Sequence, residues 1–397
     1  MSRRRADGAR QRRDADAPVV AVSPWKRRFD SFALPRQVAT TAHLCAIYPF
    51  AVEADLGVSG AFLGSNRLSG GGFTFDLHTA YDAGLVQGPN MLVSGAGAFG
   101  KSAVVKAYLY RSAAFSGDRF ISIIDPKGEW VPLAEELGLT ALRLRPGGGI
   151  IVNPLDTGPH AGHVSRQDAV AHRISVASTL LAIALGQTEL SAGQSRTVSV
   201  CLQYLSDRAG PTSPTLPDLR AVLADPPADV ATALDTTPAD LVERRRPLLD
   251  AIAVLLDHDL RGICDGPTSV HLDWARTPGL VLDLSALLSH RRALRLVLTA
   301  ATGWMAGVLY GQPTRHKINI IDEGWAALED LAIVRMLQDQ WRLGRQWGCA
   351  NILITHALAD LRSQVDDRAA QGKIAEGLLN TTSVRVFLHQ NPEQIGR

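Results

Sequence analysis

Asn90-Met-Leu-Val-Ser94 runs without a break into Gly95-Ala-Gly-Ala-Phe-Gly-Lys-Ser102. The first five residues suit a short buried strand, and Ala103 to Ala114 beyond the loop carry helical spacing. A strand, a Gly-x-x-x-x-Gly-Lys-Ser loop and a helix in that order predict a phosphate cradle. Glycine lets the backbone wrap closely, so its N–H groups point inward, and the helix N-terminus adds positive dipole. Gly95, Ala96, Gly97, Ala98, Phe99, Gly100, Lys101 and Ser102 are therefore the expected nucleotide-binding residues. Lys101 is expected to bridge the β- and γ-phosphates of ATP, and the Ser102 hydroxyl to ligate Mg2+.

Such a loop needs an acidic partner at the end of another central strand. Lys317-Ile-Asn-Ile-Ile-Asp-Glu323 supplies an apolar run closing in two carboxylates. Asp322 is expected to hold the Mg2+ shell, and Glu323, one residue beyond the strand, to polarise the attacking water. Alone, this pair reads equally well as a solvated strand end. Beside the phosphate loop, catalysis is the better reading.

Strands and helices alternate around these two blocks. Arg119–Ile124 and a segment near Leu142 read as strands, as do Gly279–Leu284, Ala350–Ile354 and Ser383–Leu388. Helices are expected at Ala293–Leu309 and Ile333–Arg345. The alternation predicts an α/β fold with a mostly parallel central sheet covered on both faces, RecA-like and of the additional-strand kind. Between the two halves, Val170–Leu185, Thr197–Leu205 and Leu248–Leu256 are apolar at helical spacing, which predicts an inserted all-helical subdomain. The expected organisation is a basic flexible arm over 1–38 and a small β-rich segment over 39–88. The ATPase domain then occupies 89–163 and 273–397, with the helical insert at 164–272.

Composition narrows the function classes. The net charge of +2 announces no general nucleic-acid binder. Only six of the 41 basic residues are lysine, and Arg244-Arg-Arg246 is the best short basic cluster. Cys45, Cys201, Cys264 and Cys349 form no CxxC pair, so neither a zinc site nor a disulfide framework is expected. No stretch reaches the about 18 apolar residues of a spanning helix, and Arg3-Arg-Arg5 lacks the apolar run of a signal peptide. The expected location is the cytoplasm, with peripheral membrane association through partners.

The second strand ends in Asp125-Pro-Lys-Gly-Glu-Trp130. This turn, the phosphate loop and Ile321-Asp-Glu-Gly-Trp325 together resemble the HerA/FtsK superfamily of P-loop ATPases. Val152-Asn-Pro-Leu-Asp156, Gly279-Leu-Val-Leu-Asp-Leu-Ser285 and Arg342-Leu-Gly-Arg345-x-Trp-Gly are similar, in the same order, to blocks of its conjugation branch, the TraC-like and VirB-type ATPases of type IV secretion. The resemblance covers residues 60–390. It implies an ATP-hydrolysing motor, assembled as a hexameric ring of its own copies, working with secretion and conjugation proteins at the inner face of the membrane and with DNA. It places Asp125 and Glu129 near the nucleotide, Glu129 as a water-orienting group or a helix cap. It gives Arg345, or Arg342, the position of an arginine reaching the next subunit's γ-phosphate, against the alternative of covering a helix C-terminus. The family usually carries Thr-Gln after its fourth core strand, the Gln sensing γ-phosphate. Here Thr355-His356 stands there, so His356 is a sensor or a plain surface histidine. Family members continue past the last strand, whereas this chain stops at Gln394-Ile-Gly-Arg397. Two further readings share these residues: a DNA-translocating pump, and a nucleotide-gated assembly scaffold with little turnover.

Overall fold

Continuous apolar runs such as Ile-Ser-Ile-Ile and Leu-Val-Leu suit strands that are covered on both faces, and such strands pair in parallel. Seven of them build the central sheet: β3 (Asn90–Ser94), β4 (Arg119–Asp125), β5 (Thr140–Arg143), β6 (Gly279–Asp283), β7 (His316–Ile321), β8 (Cys349–Thr355) and β9 (Val384–Phe387). Their order is β5-β6-β4-β7-β8-β3-β9, and every pairing is parallel. A separate antiparallel ribbon, β1 (Ala61–Ser65) and β2 (Gly72–Phe75), precedes it. The computed structural model describes residues 56–390 except 58, 69, 159–163, 210–211, 275, 312–315, 325–330, 356–376 and 378–379. These residues belong to one unit, Ala54–Arg397.

Strand order positions the site. β8 lies between β3, which feeds the phosphate loop, and β7, which the two carboxylates directly follow. This is the additional strand, and it sets the loop and the acids one strand apart at the carboxyl edge of the sheet. In open α/β sheets, ligands bind at that edge.

The helices begin with α1 (Leu77–Asp82), capped by the Asp76 side chain on the Thr79 N–H. α2 (Lys101–Phe115) follows the phosphate loop and α3 (Val131–Leu137) follows β4. Between β5 and β6 come α4 (Arg166–Ala184), α5 (Ala192–Arg208), α6 (Leu216–Ala224), α7 (Ala228–Leu234) and α8 (Pro238–Val254), then a π-helical turn at Leu255–Asp259. Ser191 and Gln194 form a reciprocal capping box on α5, and Thr215 and Asp218 form one on α6. α9 (Arg291–Gly311) and α10 (Leu331–Gly344) both pack on α4. A Cβ at Gly303 of α9 would lie 2.8 Å from Val176 of α4, so glycine is what lets these helices approach. Leu180, Leu202, Leu219 and Ile252 of this helical layer share one buried cluster with Leu282, Ile321 and Leu353 of the sheet. Burying each such side chain contributes roughly 1.5–3 kcal/mol. The Arg244-Arg-Arg246 cluster is partly structural: Arg244 and Arg245 are half-buried, and Arg245 donates to the Ala224 carbonyl that ends α6.

A row of buried polar side chains crosses the sheet in register. Ser122 donates to Asn319 Oδ1 at 2.8 Å, Asn319 to Asn351 Oδ1 at 3.2 Å, and Asn351 to Asn90 Oδ1 at 3.1 Å. The backbone pairs these residues directly across β4, β7, β8 and β3. A one-residue slip would strand four polar groups among apolar ones, so the row selects a single register.

Candidate nucleotide and metal site

The phosphate loop leaves β3 through positions that favour or require glycine. A Cβ on Gly95 would meet Leu388 Cβ at 2.9 Å, because the chain after β9 runs alongside: Leu388 N–H donates to the Ser94 carbonyl and Ala96 N–H to that of His389. Gly100, the N-cap of α2, has φ +82°, and Ala98 adopts φ +63°. Phe99, half-exposed, stacks on His389 at 4.1 Å. Of the loop's N–H groups, that of Ala96 is thus engaged by protein. Lys101 opens α2, buried, with its ammonium on the Ala96 carbonyl at 2.9 Å. Burial pulls its pKa below the usual lysine value, against the attraction of Glu323 and Asp322.

The acidic strand end meets the loop. Ser102 Oγ donates to Asp322 Oδ2 at 3.2 Å, joining residues 220 positions apart. Asp322 is 2% exposed and Glu323 5%. A hydroxyl and a carboxylate side by side at a helix N-terminus are the hard oxygen donors that suit Mg2+, which keeps the rest of its shell as water and phosphate oxygen. Ser102 and Asp322 therefore fit the metal. Glu323 holds φ +52°, its N–H on Asp322 Oδ1 at 2.8 Å, while the Gly324 N–H reaches the Ile354 carbonyl at 2.8 Å. A non-glycine residue in that region costs about 1–3 kcal/mol, which the surrounding hydrogen bonds must offset.

The Asp-Pro-Lys-Gly-Glu-Trp turn supplies two groups that motif spacing alone did not single out. Trp130 Nε1 donates to Asp322 Oδ2 at 2.6 Å, and Lys127 Nζ lies 2.5 Å from Glu323 Oε1. Asp125 itself is fully buried and accepts the N–H groups of Lys127, Gly128 and Trp130 at 3.1, 2.8 and 2.8 Å. Burial pushes its carboxyl above the usual range, against the pull of those N–H groups. Its two oxygens thus shape the turn. Glu129 is exposed, and the N-cap of α3 is Trp130, with no side-chain cap hydrogen bond. The Glu129 carbonyl accepts from Lys106, whose ammonium also sits 5.1 Å over the Trp130 ring.

Arg345 stands apart from its own chain's phosphate loop. Arg345 is exposed and donates to the Gln87 carbonyl at 3.3 Å, just before β3 begins. Lys101 follows the other end of β3, so Arg345 lies on the opposite edge of the sheet from its own chain's phosphate loop. Arg342, on α10, is exposed as well. His356 lies outside the described residues; Thr355 before it is buried, and neither its hydroxyl nor that of Ser94, its register partner on β3, has a hydrogen-bond partner among the described residues.

No protein-family model and no curated protein matches the sequence. Among solved structures, VirB4 of Thermoanaerobacter pseudethanolicus is similar with a TM-score of 0.65 at 19% identity, over 86% of this chain and 87% of that one. The plasmid coupling protein TrwB, solved with ADP and Mg2+, gives a TM-score of 0.44 at 20% identity, over 74% of this chain and 68% of that one. The likeness to VirB4 is one of fold: the chain shares its RecA-like P-loop architecture. Among the described residues, no helix is long and apolar enough to cross a membrane.

Proposed function

We propose that this chain is an ATP-hydrolysing motor that powers transfer of DNA or protein by a conjugative type IV secretion system. The observation that carries the reading is the contact of Ser102 Oγ with Asp322 Oδ2 across β8, within a fold shared with VirB4. Lys101 leaves the Ala96 carbonyl for the β- and γ-phosphates, which α2 receives at its positive end. Ser102 and Asp322 would hold Mg2+, which when bound neutralises charge on the transferring phosphate. Glu323 accepts the proton of the attacking water. Arg345, remote from its own loop, completes the γ-phosphate contacts of a neighbouring copy, so turnover requires a ring. Such a ring works at the inner face of the membrane through its partners.

The distinguishing experiment measures ATP turnover with and without duplex DNA, alongside particle mass. Turnover that rises with assembly and changes less than about twofold with DNA is the expected result. Strong DNA stimulation would favour a DNA-translocating pump. Binding without turnover in assembled particles would leave the scaffold reading.

A further inference from the structure

Three of the chain's six lysines, Lys101, Lys106 and Lys127, stand around the nucleotide site, and the chemistry so far uses one. Lys106 is anchored on Glu129 and Trp130. Lys127 is not accounted for. We propose that Lys127 is a positioning residue for Glu323: in the nucleotide-free site it pairs with the carboxylate and holds it from water, and it moves to the γ-phosphate of bound ATP, releasing the carboxylate. This rests on the reading of Glu323 as the base.

Both ends of the pair favour movement of the lysine rather than the glutamate. The backbone of Glu323 is fixed at φ +52° by hydrogen bonds on either side, and its side chain is 6% exposed. The Lys127 side chain is 34% exposed and has a four-carbon stem with rotatable donors. The root of that stem is rigid. Asp125 gathers the turn's N–H groups, and Gly128, at φ +75°, is packed so that a Cβ would lie 3.2 Å from Asp283 and Ser285. A fixed root and a free tip let the ammonium exchange partners without disturbing the turn.

Charge supplies the drive. Lys101, Lys127, Asp322 and Glu323 influence one another and balance in pairs. Burial pulls the Lys127 ammonium down, but pairing with Glu323 outweighs it, so the lysine keeps its charge through neutral pH. A nucleoside triphosphate brings more negative charge than its Mg2+ cancels, and the γ-phosphate becomes the stronger acceptor. A diphosphate lacks that group and leaves the Lys127–Glu323 pair closed. Lys101 is parked in the same manner, on the carbonyl of its own loop. The arrangement makes the base available only when there is a γ-phosphate to cleave.

The test is a binding cycle with Mg2+ present, using ADP and a non-hydrolysable triphosphate analogue on wild type, Lys127→Met, Glu323→Gln and the double variant. Lys127→Met should lose about tenfold in triphosphate affinity and keep its ADP affinity, and Lys127→Arg should restore the preference. Glu323→Gln should bind the triphosphate severalfold more tightly, by freeing the lysine and removing a like charge. That gain should shrink by at least half in the Lys127→Met background. Simple repulsion between Glu323 and phosphate predicts an equal or larger gain there, and that result overturns the proposal. So does an equal loss of ADP and triphosphate affinity in Lys127→Met. Turnover of Glu323→Gln, measured beside these, separates the two levels. A wild-type rate removes the base itself, whereas an inactive variant with undiminished gain removes only the role of Lys127.

Discussion

Asp322 Oδ2 receives two donors, the Ser102 hydroxyl and the Trp130 indole N–H, and the indole would be the one to remain if Ser102 and Asp322 held Mg2+. A hydrogen bond behind a metal-binding carboxylate orients it, and losing such a support typically costs about 10–100-fold in metal affinity. Trp130→Phe keeps the buried ring and deletes the donor. The Mg2+ concentration for half-maximal ATP hydrolysis should rise about tenfold, with little change in ADP affinity without metal; an unchanged Mg2+ titration would show that Ser102 alone positions Asp322. The meeting of the phosphate loop with Asp322 was legible from the sequence because the loop pattern and the acidic strand end each have a fixed local geometry. Trp130 and Lys127 belong to a recognisable turn, yet their contacts with Asp322 and Glu323 depend on β4 and β7 lying side by side. Nothing in the spacing of either segment states that adjacency. Asp125 was expected near the nucleotide, and its carboxylate accepts the N–H groups of Lys127, Gly128 and Trp130 in its own turn.

At the scale of the elements, the strands of the sheet were readable from their apolar runs, and the long helices from their spacing. The polar row through β4, β7, β8 and β3 was not. In sequence, Asn90, Asn319 and Asn351 look like isolated polar interruptions of apolar strands, and only the register turns them into mutual partners. Asn351 is an inner member, donating to Asn90 and accepting from Asn319. Replacing it with Ala leaves a buried donor on one side and a buried acceptor on the other, at a cost of about 1–3 kcal/mol for each unsatisfied group. Asn351→Ala should lower the urea midpoint with an unchanged slope, since the surface exposed on unfolding stays the same. An unaltered midpoint would mean that the row contributes nothing to stability. The π-helical turn at Leu255–Asp259 likewise leaves no periodic trace in so short a span.

For the whole molecule, the position of Arg345 separates a self-sufficient enzyme from one that needs its neighbours. Its exposed side chain lies at the edge of the sheet away from its own loop, where the resemblance to ring ATPases expects an arginine that serves another copy. Arg345→Ala should bind ATP normally but lose up to about 10³-fold in hydrolysis, the scale of an arginine finger. Lys101→Ala should bind none. Mixed together, the first provides intact loops and the second intact arginines, so activity should return, and it should grow with protein concentration as assembly does. A mixture no more active than its parts, where wild type forms rings, would remove Arg345 from the site.

The reading of the chain as an ATPase rests finally on Glu323, the buried carboxylate two residues past β7. Its most direct test is single-turnover hydrolysis of radiolabelled ATP by wild type and Glu323→Gln, at matched nucleotide occupancy and saturating Mg2+. Wild type should release phosphate, and Glu323→Gln should bind ATP yet release phosphate about 10²–10⁴-fold more slowly, the usual contribution of a general base. Equal rates in the two proteins, or no phosphate release by assembled wild type, would contradict the account.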